Sequence, residues 1–158
     1  MINLSIWETY KRNGINLPYD HQTKGWSLIQ NGRNIIIAAG TGAGKTETFL
    51  LPALVEERRI IITYPTKALL QDQLPRIIKH YVDTFQVTEE IAAKHISVDT
   101  GDENDRTLFR ADVILTTIDK LIHRIFGYGS GRWGYIYPWR IAQSPYKPTL
   151  LVFDEAHI

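Results

Sequence analysis

Hydrophobic residues along the chain gather in short, nearly continuous runs that are separated by longer stretches of mixed character. The runs are rich in Ile, Leu and Val, without strict alternation of apolar and polar positions. This pattern is typical of strands that are buried on both faces, as in a parallel sheet whose strands are connected by helices. The sequence therefore predicts an α/β fold. The predicted strands are 34–39, 59–64, 95–98, 111–116 and 149–153.

The stretches between these runs carry apolar residues at helical spacing. Pro52 and Pro75 lie inside two of them, and because a proline removes one helical hydrogen bond, kinks or breaks are expected there. The predicted helices are 2–12, 20–30, 44–57, 66–85 and 117–126.

One segment, 127–148, fits neither pattern because it is rich in Gly, Pro and aromatic residues, and we expect a long loop or insertion. Its aromatic side chains alternate with basic ones. Such a mixture can form a platform on which nucleic-acid bases stack, or a flap that packs on the rest of the protein, and both interpretations stay open. The residues concerned are Tyr128, Arg132, Trp133, Tyr135, Tyr137, Trp139, Arg140, Tyr146 and Lys147.

Length and composition narrow the class of protein. The 158 residues, of which 44% are hydrophobic, suit one globular domain, residues 1–158. With 18 basic and 17 acidic residues, no global charge attracts nucleic acid, so such binding would have to come from local geometry. The chain has no cysteine and no apolar run of membrane-spanning length, so we expect a soluble, cytoplasmic protein without a membrane partner.

A glycine-rich loop, residues 38–47, lies between a predicted strand and a predicted helix. Glycines let the backbone curl so that its N–H groups point at an anion, and the helix start adds a favourable dipole. In this arrangement Lys45 would reach the terminal phosphates and Thr46 would place its hydroxyl on Mg²⁺. A glycine-rich turn before an ordinary helix is the alternative, since Ala39 stands where the strict P-loop pattern has Gly. The expected phosphate-binding residues are Thr41, Gly42, Ala43, Gly44, Lys45 and Thr46.

Two carboxylates, Asp154 and Glu155, follow the last predicted strand. An ATPase needs one oxygen ligand for Mg²⁺ and one group that orients or deprotonates the attacking water. We expect Asp154 on the metal and Glu155 on the water, with Lys45 as the third catalytic residue. A solvated acidic turn is the alternative.

The two motifs "GTGAGKT" and "DEAH" together resemble the first RecA-like domain of superfamily-two DEAD/DEAH-box helicases, with features of RecQ-like and CRISPR-associated nuclease-helicases. The resemblance covers nearly the whole chain and implies a P-loop NTPase that uses ATP and Mg²⁺. Within "LPYDHQ" it implies that Gln22 binds adenine. In "DEAH" it implies that His157 couples the nucleotide site to a second domain.

Further motifs in the order of this family are "YPTKALLQDQ", "DTGD" and "LTTIDKL", which the resemblance implies to contact nucleic acid. At two of them a predicted strand ends and a helix begins, so that unpaired N–H groups can bind phosphate without reading the bases. The threonines at these junctions could equally be helix caps only. The expected contact residues are Pro65, Thr66, Lys67, Thr100, Gly101, Thr116 and Thr117.

Several functions stay open at this point. The first is the ATP-binding lobe of a helicase or translocase on single-stranded or duplex nucleic acid, with DNA favoured over RNA. The others are a nucleotide- or strand-binding fragment or split subunit without catalysis, and a P-loop kinase. The resemblance implies a further strand after residue 158, between the P-loop strand and the "LVFDEA" strand, so we expect a partial lobe. It also implies a second RecA-like domain, from further sequence or another chain, whose arginine contributes ~10³ to 10⁵ in rate.

Overall fold

The computed structural model describes residues 5–40, 42–102, 110–127, 141 and 148–155. The chain forms two compact units, Met1–Glu56 and Glu57–Ile158. The domain boundaries expected from the sequence stay a prediction. Most of the aromatic segment 127–148 lies outside the described residues.

The first unit contains three described helices, α1 (Ile6–Arg12), α2 (Asp20–Gln30) and α3 (Lys45–Val55). The hydroxyl of Ser5 caps α1 by accepting a hydrogen bond from the backbone N–H of Glu8 at 3.2 Å. Helix α3 continues through Pro52, so the break expected there is absent. The buried side chains of this unit include Tyr10, Trp26, Ile29, Phe49, Leu50, Leu51 and Leu54.

The predicted strand at 34–39 is wrong. These residues are not part of a strand, and the side chain of Ile36 is 89% exposed. A strand exists only through backbone hydrogen bonds to a neighbour, and this segment pairs with no strand of the described sheet. The apolar residues alone therefore do not make the segment a strand.

The second unit is built on four described parallel strands, β1 (Ile60–Tyr64), β2 (Ile96–Asp99), β3 (Val113–Thr117) and β4 (Leu150–Phe153), in the order β2-β3-β1-β4. The predicted α/β class with a parallel sheet is confirmed. The inner strands β1 and β3 are buried almost throughout, as their continuous apolar runs indicated. Edge strand β4 leaves Leu151 and Phe153 40% and 55% exposed.

Helices connect these strands. They are α4 (Lys67–Phe85), α5 (Glu89–His95) and α6 (Ile118–Phe126). Helix α4 continues through Pro75 without a break. The sequence analysis missed α5, whose start is marked by Thr88, a hydroxyl cap that accepts from the N–H of Ile91 at 3.4 Å. A core cluster of the unit consists of Ile61, Ala111, Ile114, Leu121 and Ile141.

A polar cluster joins α4 and α5 to the start of β3. Asp112 accepts a hydrogen bond from the hydroxyl of Tyr81 at 3.2 Å, and its carboxylate lies 2.8 Å from Nδ1 of His95. The rings of Tyr81 and His95 stack at 5.4 Å. Burial and then the charge of Asp112 raise the pKa of Tyr81 well above its usual value, so the phenol stays a hydrogen-bond donor.

We expect Tyr81→Phe to lower the free energy of unfolding by ~1 kcal/mol, since it removes one largely buried hydrogen bond and little packing. Urea unfolding followed by circular dichroism measures the effect. In an Asp112→Ala background the same substitution should cost almost nothing, because the partner is already gone. An equal loss in both backgrounds would mean that Tyr81 stabilises the fold without this bond.

Candidate functional site

The glycine-rich loop of the first unit turns at two glycines with left-handed backbones. The φ angles are 77° at Gly42 and 71° at Gly44, and Gly44 is the N-cap residue that directly precedes α3. A side chain is strained in this conformation. At Gly44 a Cβ would in addition lie 2.5 Å from Nε2 of Gln22. Glycine is therefore required at residue 44 both by the backbone and by the packed side chain.

Gln22 fastens this loop to the start of α2. Its Oε1 accepts from the backbone N–H of Tyr19 at 2.9 Å, and its Nε2 donates to the carbonyl of Gly44 at 3.0 Å. Only 1% of the residue is exposed. The sequence did not indicate that Gln22 makes these two hydrogen bonds. Adenine recognition by Gln22 stays a prediction.

Lys45 and Thr46 of the loop lie in the first turn of α3. Lys45 donates from Nζ to the carbonyl of Ala39 at 3.0 Å, which uses one of its three donors. The residue Thr46 is 5% exposed. Burial and then the charge of Glu47 raise the pKa of nearby Tyr10 to about 12. Of the expected phosphate-binding residues, Thr41 lies outside the described part of the chain.

The acidic pair of the second unit follows β4 directly. The N–H of Asp154 donates to the carbonyl of Thr63 at 3.0 Å, and Oδ1 of Asp154 accepts from the N–H of Glu155 at 3.0 Å. Glu155 has a left-handed φ of 52°, which costs ~1–2 kcal/mol for a residue with a Cβ. Strain of this kind gathers at functional sites. His157 lies outside the described residues.

The predicted nucleic-acid contacts lie where β1, β2 and β3 end. Because the strands are parallel, these ends share one edge of the sheet, the carboxyl edge, with Asp154. Thr66 is a true helix cap, since its hydroxyl accepts from the N–H of Leu69 at 3.2 Å. Thr117 occupies the same position at α6, but its hydroxyl makes no capping hydrogen bond.

Exposure differs among these contact residues. Pro65, Thr66, Lys67 and Gly101 are exposed and Thr117 is half-buried, whereas Thr100 and Thr116 are 3% and 0% exposed. The hydroxyl of Thr116 donates to the carbonyl of Asp99 at 2.6 Å. The side chains of the two buried threonines are thus not at the surface.

A salt bridge connects two of the predicted contact motifs. Nζ of Lys67 lies 2.6 Å from Oδ2 of Asp102, and both side chains are well exposed. A Cβ on Gly101 would come 3.2 Å from the same ammonium group. The lysine therefore extends from the start of α4 to the loop after β2.

A buried ion pair lies beneath this edge. Asp99 is 0% exposed and receives two hydrogen bonds from the guanidinium group of Arg124, at 2.8 and 2.9 Å. Nζ of Lys120 lies 4.0 Å from the same carboxylate. The pair holds α6 against the end of β2. Thr100 directly follows Asp99, and Thr117 directly precedes α6. Sequence reasoning missed it.

Comparison with known proteins identifies the chain. A model of the DEAD/DEAH box helicase family matches residues 19–158. The chain belongs to this helicase family. The predicted resemblance to DEAD/DEAH-box helicases is confirmed.

Similar proteins are longer than this helicase chain. An uncharacterised ATP-dependent helicase of Methanocaldococcus jannaschii is 26% identical over 99% of the chain, which spans 22% of that protein. The structure of the helicase MrfA bound to DNA has a TM-score of 0.68 at 18% identity, covering 97% of this chain and 26% of MrfA. A hypothetical ATP-dependent RNA helicase of Sulfolobus tokodaii has a TM-score of 0.58 at 17% identity, covering 96% and 50%. These structures support the RecA-like fold.

The described part of this helicase chain contains no cluster of three or more His, Cys, Asp or Glu side chains suited to a metal ion. None of its described helices has the length and apolar character that a membrane crossing requires.

We expect Asp99→Leu to destabilise the protein by ~3–5 kcal/mol, because Arg124 is left buried without its counter-charge. The double variant Asp99→Leu/Arg124→Met should recover most of the loss, since apolar residues of similar volume can replace a buried ion pair. Urea unfolding measures both.

The control is Lys24→Ala, which removes an exposed salt bridge to Asp20 and should change stability by less than ~1 kcal/mol. A loss in Asp99→Leu no larger than in this control would contradict the structural role given to the buried pair.

Proposed function

We propose that this chain is the ATP-binding lobe of a helicase or translocase that moves along single-stranded or duplex DNA. The observation that carries the proposal is the order of the sheet. The ends of β2, β3, β1 and β4 follow one another along the carboxyl edge. The proposed nucleic-acid contacts therefore lie in one row with Asp154 and Glu155. At ~4.8 Å between neighbouring strands the row is about 14 Å long.

The nucleotide chemistry is assigned to the P-loop and the acidic pair. Lys45 binds the terminal phosphates, Gln22 binds adenine, and the loop residues 41–44 offer N–H groups to the phosphates. Thr46 and Asp154 hold Mg²⁺, for which hydroxyl and carboxylate oxygens are suitable ligands. When bound, the ion neutralises the charge that develops on the phosphates. Glu155 orients the attacking water and accepts its proton.

The nucleic-acid backbone is assigned to the exposed part of the carboxyl edge. Free N–H groups at the starts of α4 and α6 bind phosphates, with help from Thr66, Lys67 and Thr117. Thr100, whose side chain is buried, acts through its backbone, as does Gly101. Thr116 supports the junction from within β3, and Pro65, which has no N–H group to donate, contacts the nucleic acid through its ring. Such contacts do not read base identity, which suits an enzyme that tracks along any sequence.

The proposed partners are DNA and a second RecA-like lobe. DNA is favoured because MrfA, which has a similar fold, was solved with DNA bound. The second lobe, in the same protein or another chain, supplies an arginine to the phosphates, and His157 couples the two lobes. The proposed location is the cytoplasm, as expected from the sequence.

The substitution Thr117→Ala tests the proposed nucleic-acid site at the carboxyl edge. Because the Thr117 hydroxyl does not cap α6, we expect unchanged stability and unchanged ATP affinity, but binding of single-stranded DNA weakened about fivefold by the loss of one phosphate contact. Fluorescence anisotropy of a labelled oligonucleotide at moderate salt, and a fluorescent ATP analogue, measure the two affinities.

Thr88→Ala is the matched control. It removes the hydroxyl that caps α5, so it should lower stability by ~1 kcal/mol and leave strand affinity as in the wild type. If Thr117→Ala weakened ATP and DNA binding equally, Thr117 would have a folding role. Its assignment as a contact to nucleic acid would then be wrong.

Asp102→Asn tests the role of Lys67. The substitution removes the carboxylate that pairs with this ammonium group, so we expect single-stranded DNA to bind severalfold more tightly at low salt. The dependence of log K on log salt should become steeper by about one unit, as for one additional phosphate contact.

Its control is Asp83→Asn, which likewise frees an exposed lysine, Lys79, from its pair within α4. This variant has the same change in charge and should bind DNA nearly as the wild type does. Equal gains in the two variants would show a general charge effect, and a loss in Asp102→Asn would mean that Asp102 orients Lys67 for binding.

A further inference from the structure

Tyr64, the last residue of β1, is a fully buried tyrosine with an unsatisfied hydroxyl. The residue is 0% exposed, and its hydroxyl has no hydrogen-bond partner among the described residues. Native proteins rarely bury a hydroxyl in this way unless ordered water or a ligand completes its hydrogen bonds. The sequence analysis gave Tyr64 no role, although it directly precedes the proposed contact residue Pro65.

The sheet register places Tyr64 between two parts of the proposed site. On one side Tyr64 pairs with Thr117 of β3. On the other side Thr63 pairs with Phe153, and the N–H of Asp154 donates to the carbonyl of Thr63 at 3.0 Å, so Asp154 is level with Tyr64. Residues that are level on adjacent strands direct their side chains to the same face. Tyr64 is thus the neighbour of Asp154 on the sheet.

The charges around Tyr64 agree with this position. Burial contributes most to raising the pKa of its phenol far above the usual range, the carboxylate of Asp154 follows, and Glu155 adds to the increase, while Arg76 of α4 opposes it. Asp154 and Glu155 thus both affect the phenol electrostatically. Next to carboxylates, a neutral phenol is a hydrogen-bond donor.

We propose that Tyr64 is a positioning residue of the nucleotide site, whose hydroxyl donates a hydrogen bond to water held at Asp154 when a divalent cation is bound. This inference rests on the proposed function, in which Asp154 is a cation ligand. It adds to that function a role for Tyr64 of β1, which pairs with Thr117 and would support the cation site.

Tyr64→Phe in the protein at its natural full length tests the proposal. Mn²⁺ replaces Mg²⁺ because it accepts the same oxygen ligands and its binding can be measured by electron paramagnetic resonance, here with a non-hydrolysable ATP analogue present. We expect Mn²⁺ affinity to fall about 5- to 20-fold, as for one hydrogen bond near charged groups. The Tm without ligand should be unchanged or a few degrees higher, since an unsatisfied buried group is removed.

Tyr81→Phe is the matched control, because it removes a hydroxyl that already has a partner in Asp112. Its Tm should fall while Mn²⁺ affinity stays within twofold of the wild type. Unchanged Mn²⁺ affinity in Tyr64→Phe, with or without a loss of Tm, would overturn the proposal.

Asp154→Asn separates this inference from the proposed function. If it weakens Mn²⁺ binding while Tyr64→Phe does not, the cation site stands and the role of Tyr64 is wrong. If Asp154→Asn leaves Mn²⁺ affinity unchanged, the assignment of Asp154 as a cation ligand is wrong, and the inference about Tyr64 fails with it.

Discussion

Parallel strand pairing is the constraint on which the rest of the second unit depends. Strand β1 is hydrogen-bonded on both sides, to β3 and to β4. Because all strands run in one direction, the chain leaves each of them at the same edge, and each helix that starts there has N–H groups without partners in the helix. Topology thus provides groups that can bind phosphate in a chain whose net charge is only +1.

The polar contacts under this edge fix the spacing of its parts. Burying Asp99 and Arg124 costs desolvation energy that their attraction only partly offsets, so an apolar pair would stabilise the fold as well. The presence of the ion pair is better explained by geometry, because the two hydrogen bonds from Arg124 to Asp99 set the position of α6 relative to β2. On this interpretation the pair keeps the backbone at Thr100 and Thr117 at a constant separation.

Local patterns in the sequence were sufficient for most elements and insufficient for contacts between distant residues. The runs of Ile and Val predicted β1 and β3, because a strand buried on both faces needs them. The apolar run at 34–39 wrongly predicted a strand, because a strand also requires a neighbouring strand to pair with. Contacts such as Gln22 with Gly44 and Asp99 with Arg124 join residues 22 and 25 positions apart. Tertiary packing decides these contacts, and no periodicity indicates them.

Two features beside the acidic pair at the carboxyl edge of the sheet are costly in the free protein. At the carboxyl edge Tyr64 is buried without a partner among the described residues, and Glu155 has a left-handed φ. Both features cost stability in the free protein, and a ligand that satisfied them would gain binding energy. A fold optimised for stability alone would not place both costs beside the same carboxylates, so their coincidence favours a binding site there.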